Sequence, residues 1–171
     1  DSGSRPGSSD DVVIANGHTV TLVQGENAKS LTVQSGGTYD GAGYTLQING
    51  EDGTGHAMNI DGDLHTDEDS DFLVVTEATT YLDLVATNAV GVRNLTINHA
   101  SCVGKLVSGP TGNNAIQGNV TITAGALYTN ANALTILGDV SVTGTLDAIT
   151  DGAVAVSMGS ITLVGSGTYS A

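Results

Sequence analysis

Positive charge is nearly missing from this chain. Its 171 residues hold four Lys and Arg against eighteen Asp and Glu, a formal net charge of −14. The four cations are Arg5, Lys29, Arg93 and Lys105. A nucleic-acid partner needs many such cations to neutralise phosphates, and an anionic bilayer surface needs them too. Neither nucleic acid nor membrane insertion is therefore expected. No apolar run approaches the ~20 residues of a membrane span. A single cysteine, Cys102, excludes an internal disulfide framework. Trp is absent and Phe occurs once, which argues against a sugar-cleaving cleft floored by large rings. The chain starts at Asp1 without Met or a leader-like pattern, and so reads as a processed product or a portion of something longer.

Glycine, by contrast, is abundant at 24 residues, and it recurs inside a repeat. Four segments align: Leu31–Tyr39, Val120–Leu127, Val140–Leu146 and Ile161–Tyr169. Each runs apolar, hydroxyl, apolar, then a small-residue corner containing Gly, then an apolar or Tyr position. Leu46 follows Leu31 by 15 residues, and Leu134 and Val154 follow Val120 and Val140 by 14. The starts at Val120, Val140 and Ile161 are 20 and 21 residues apart, and Leu95–Ile97 fits as a looser copy.

Alternation with a period of two puts Leu31 and Val33 on one face and Thr32 on the other. Three to five apolar positions are too few for an amphipathic helix. A unit of about 20 residues cannot bury its apolar face alone, whereas stacked units can. The expected fold is all-β: a single-stranded parallel β-helix, or β-solenoid, of roughly seven to eight coils and roughly 35 Å at the ~4.8 Å strand spacing. An antiparallel sandwich also uses short strands and Gly turns, but gives no reason for a repeated 14-residue offset. The expected inward residues are Leu31, Val33, Leu46, Val120, Ile122, Leu134, Ile136, Val140, Val142, Ile161 and Leu163.

Residues 1–10 read as a flexible polar tail and residues 11–171 as the β-helix domain. The stretch 51–71 holds eight of the eighteen acids, with His56 and His65, and reads as an acidic insertion between coils or a ragged coil. The segment Pro6–Ile14 followed by Asn16–Leu22 resembles the opening of extracellular, pectin-lyase-like right-handed β-helix proteins. It also looks like the start of G8-type surface domains, from which it departs in lacking Trp. The resemblance implies a surface or virion structural protein.

The acids supply one candidate site. Asp61 and Asp63, and then Asp67, Asp69 and Asp71, stand at spacings of two, which aims neighbouring carboxylates the same way in extended chain. A hard cation such as Ca²⁺ wants several such oxygens, although the EF-hand pattern is not met. A solvated acidic loop explains the same residues without a metal. His56 and His65 with Asp61 or Asp63 have no diagnostic metal spacing. Asp139, Asp147 and Asp151 are the candidates for a glycosidase pair, which needs two carboxylates about 5–9.5 Å apart, yet Asp139 and Asp151 adjoin glycines as turn residues do. Cys102 reads as a small buried hydrophobe rather than a nucleophile. Thr32, Thr96, Thr121, Ser141 and Thr162 would form an outer hydroxyl ladder, the geometry that ice-binding proteins use. Thr is also an ordinary exposed strand residue.

The expected function is non-enzymatic: a structural protein of an extracellular or virion surface, most simply a phage capsid decoration, cement or fibre protein. Its partners would be copies of itself, a trimer being favoured, or a capsid shell protein, with a glycan as a further possible ligand. The end coil, with Ile161, Leu163 and Tyr169, is the expected interface. A cell-surface adhesin or S-layer fragment is the alternative, and a tailspike-type polysaccharide depolymerase the third.

Overall fold

The computed structural model describes residues 5–65, 70–84, 92–108, 116–130, 132–148 and 156–170. Every regular element among them is a β-strand. The first turn holds β1 (Asp11–Ile14), β2 (Thr19–Thr21) and β3 (Glu26–Ala28), and the second β4 (Ser30–Val33), β5 (Thr38–Asp40) and β6 (Thr45–Ile48). The third holds β7 (His56–Ile60), β8 (Asp63–Leu64) and β9 (Asp71–Val74), followed by β10 (Thr79–Asp83). Then come β11 (Asn94–Ser108), β12 (Val120–Tyr128), β13 (Leu134–Thr135), β14 (Val140–Val142), β15 (Thr145–Asp147), β16 (Val156–Ser157), β17 (Ile161–Leu163) and β18 (Thr168–Ser170).

Pairing is parallel throughout, so the chain is the expected β-solenoid, of about six turns rather than seven to eight. One side runs β1–β4–β7–β10, the second half of β11, the second half of β12, β15 and β18. Its first and last strands have a neighbour on one side only, which leaves fewer fully covered turns than strands. A second side runs β3–β6–β9, the first half of β11, the first half of β12, β14 and β17. The third carries β2–β5–β8 at one end and β13–β16 at the other. The long strands β11 and β12 bend from the second side into the first, with register shifts at the bend of β11.

Inside, like stacks on like. Leu46, Phe72, Leu95, Val120 and Val140 form one file, and Ile48, Val74, Ile97, Ile122 and Val142 the next. All are buried, and each such side chain contributes about 1.5–3 kcal/mol relative to exposure. The one Phe packs its ring against Tyr39, centroids 5.4 Å apart. Corners must be tight for the files to stay aligned. A Cβ at Gly62 would strike the carbonyl oxygens of Gln34 and Gly37, and one at Gly144 that of Gly125.

Three expectations need correcting or narrowing. Leu31 lies on the first side, while Val120, Val140 and Ile161 share the second, so the four aligned segments are copies of two different corners. Of the two readings of the acidic stretch 51–71, its described residues follow the coil and not the insertion, since β7 and β8 pair with the coil before. Ile161 and Leu163 follow the inward files in register but are 36 % and 53 % exposed, because no described strand lies beyond them. The other nine expected inward residues are buried. Of the tail, residues 5–10 reach the first turn: Arg5 pairs with Glu26, and the Lys29 amide donates to the Asp10 carbonyl.

Val120→Asp places a charge with no partner in the central file and is expected to abolish the cooperative melt. Ile122→Ala, which leaves a cavity, is expected to cost about 2–5 kcal/mol. Circular dichroism melts check both, and a wild-type melting temperature for either would contradict the inward assignment.

Candidate functional site

The described acids of residues 51–71 are distributed over different sides of the solenoid. Asp61 and Asp63 stand at the turn into β8, their amides donating to the Val33 and Gly37 carbonyls. Asp71 begins β9 and is engaged: Arg93 Nε donates to Oδ1 at 2.8 Å, Arg93 Nη2 donates to Oδ2, and Asn94 Nδ2 donates to Oδ1 at 2.9 Å. Asp67 and Asp69 lie outside the described residues. Among the described residues no group of three or more His, Cys, Asp or Glu is placed to hold a metal. His56 and His65 fall on different sides, with His65 3.9 Å from Asp40.

Asp52 closes the turn before β7. Its Oδ1 accepts from the Thr54 amide, the Thr54 hydroxyl and the His56 amide at 2.7–3.0 Å. Burial opposes ionisation of this carboxyl, but those hydrogen bonds and the nearby His56 prevail and hold its pKa below the usual carboxylate range. The arrangement is a turn lock on the surface.

A second set of polar groups runs up one corner of the rod. Asn94 Oδ1 accepts from the Asn119 amide, Asn119 Oδ1 from the Asp139 amide, and Asp139 Oδ1 from the Ser160 hydroxyl, each at 2.7–2.8 Å. With Asp71 below Asn94 these groups form a ladder that satisfies the backbone amides just before β12 and β14 and links the side chains of successive coils. Asp139 is thus a rung, at the start of β14, while Asp147 projects from β15 on the first side. Asp151 lies outside the described residues. Cys102 is buried, and burial pushes its thiol up to about 11, the opposite of an activated nucleophile.

The hydroxyl ladder forms in part. Thr96, Thr121, Ser141 and Thr162 stand in register on the second side, and Thr32 belongs to the first. The first side carries a file that pattern reading missed. His56, Tyr81, Lys105, Tyr128 and Asp147 are direct neighbours in successive coils, all at outward positions. The spacings between them differ from coil to coil, so the file is visible only once register is known. The Tyr81 ring lies over Gly55, 5.5 Å from the His56 ring, and the residue is 40 % exposed. Lys105 has no ion pair among the described residues.

At the far end, Ile161 and Leu163 of β17 and the following Val164 are exposed, while Tyr169 packs partly against the core. No Asp, Glu, Lys or Arg occurs in residues 156–170. At the near end an apolar recess of about 210 Å³ opens between Val12, Val20, Leu22, Leu31, Tyr39 and Leu46, with the Arg5–Glu26 pair on its rim.

No family model, curated protein or solved structure matches this chain.

Asp52→Asn is expected to lower the melting temperature near neutral pH. The folded pKa lies below the unfolded value of about 3.9, so the ionised carboxylate adds stability above that pH, and the stability is lost as pH falls through the folded value. The gap between wild type and variant should close on acidification; a gap that widens in acid would contradict the hydrogen-bonded turn. Cys102 is expected to resist a disulfide reagent at pH 8 while folded and to react once denatured. Fast labelling of the native chain would contradict its burial.

Proposed function

We propose that this chain is a non-enzymatic structural module of a surface assembly, working as a stiff rod that docks through its end coil. In its most specific form it is a virion component, a phage capsid decoration, cement or fibre protein outside the cell, joined to its own copies as a trimer or to a shell protein. The kinship to pectin-lyase-like proteins, and the G8-like opening of residues 6–22, belong to this proposal. They rest on the segment around the Asn16–Gly17 turn, where Gly17 takes a φ of 77°.

The observation that carries the reading is the chemistry of β17 and its corner. Ile161, Leu163 and Val164 expose apolar surface on a coil free of formal charge, in a chain whose net charge is −14. Apolar surface gains about 25 cal/mol per Å² on leaving water. Interface centres are depleted of charge in the same way. Like-charged copies would repel elsewhere along the rod but not at this coil. Parallel strand edges there also offer backbone groups for pairing.

Light scattering on the purified chain tests this. The expected mass is that of a trimer or larger assembly, and Leu163→Asp is expected to reduce it to a monomer with an unchanged strand spectrum. A wild-type chain that stays monomeric at high concentration would overturn self-assembly. A Leu163→Asp variant with undiminished mass would overturn the end coil as the interface.

A further inference from the structure

We infer that the outward file of the first side, centred on Tyr81, Lys105 and Tyr128, is a binding platform for an extended neutral glycan. Rings are scarce in this chain: five Tyr and one Phe. Tyr39 and Phe72 are spent in the core. Two of the remaining Tyr nevertheless stand in one register file, with Lys105 between them and the His56 ring before them. Against β12 the register of β11 shifts only before Val103, so Val103 to Lys105 pair regularly with Ala126 to Tyr128.

Geometry and charge define the ligand. Two strand spacings separate Tyr81 from Tyr128, about 9.6 Å, the reach of a disaccharide lying along the rod axis. Tyr81 is seated over Gly55 and is partly open to solvent, and Tyr128 is half-buried. A Tyr ring takes the apolar C–H face of a pyranose, and its hydroxyl can take a polar contact. Val107, exposed beside Lys105, extends the apolar ground. Lys105 offers three donors to sugar hydroxyls, and Asp147 stands next in the file after Tyr128.

The same charges disfavour other occupants. Asp83 on β10 and Asp147 on β15 share this side, and with a net charge of −14 they repel an anionic polymer. A protein partner favours a centre poor in charge, whereas the centre here is Lys105. A neutral, hydroxyl-rich polymer meets the rings and the Lys105 donors without stranding either. The inference does not rest on the docking role of the end coil, which reads out in mass rather than in sugar binding.

Affinity electrophoresis of the purified chain tests it, in gels containing hydroxyethylcellulose, galactomannan or laminarin, with carboxymethylcellulose as the anionic counterpart. Retardation is expected in at least one neutral gel. Tyr81→Ala and Tyr128→Ala are each expected to weaken it about tenfold. Tyr44→Ala, an exposed ring off the file, should leave it unchanged. Tyr81→Phe keeps the ring and should bind as wild type, which separates loss of the platform from loss of the fold. Retardation in none of the neutral gels, retardation confined to carboxymethylcellulose, or equal loss with Tyr44→Ala would each overturn the inference.

Discussion

The whole molecule depends on one constraint: each coil must place its apolar residues directly over those of the coil before. Strands of three or four residues have no independent stability. They persist because Leu95, Val120 and Val140 lie one over the next, and because backbone groups pair in the same register. Parallel pairing fixes the spacing at about 4.8 Å, so the outer surface inherits the periodicity of the core. Tight glycine corners and the Asp71–Asn94–Asn119–Asp139 ladder serve that registration. Of the candidate glycosidase acids, Asp139 is part of this scaffold.

Two consequences for function come from the same constraint. A solenoid has ends, and a coil at an end has inward-type residues without a covering layer. Ile161 and Leu163 are in register with the core yet exposed among the described residues, and the proposed docking rests on that surface. A solenoid also has long regular faces, on which one side chain per coil builds a file. The files differ in chemistry: hydroxyls on the second side, rings and charges on the first.

The fold was legible in the sequence because the 20- and 21-residue spacings of Val120, Val140 and Ile161 are true coil lengths. The assignment of sides was less legible. Leu31-Thr-Val has the same local pattern as Val120-Thr-Ile, and any side of a solenoid is satisfied by apolar, hydroxyl, apolar. Only the corner that follows tells them apart. The acidic coil was masked by composition, since outward positions of short strands accept Asp freely while Ile60, Leu64 and Phe72 hold the inward ones. The Tyr81–Lys105–Tyr128 file was invisible because its members are 24 and 23 residues apart while neighbouring coils are shorter or longer. The sequence pattern gave no sign that Asp71 would be held by Arg93, a contact between successive coils.

The most direct test of the account is the order of side-chain proximities along the second side, measured as methyl–methyl nuclear Overhauser effects in solution. Parallel stacking predicts contacts from Leu95 to Val120, from Val120 to Val140 and from Val140 to Ile161, with a matching series from Ile97 through Ile122 and Val142 to Leu163. Crossed contacts, Leu95 to Ile122 together with Ile97 to Val120 as an antiparallel pair would give, would contradict the solenoid and every surface file derived from it.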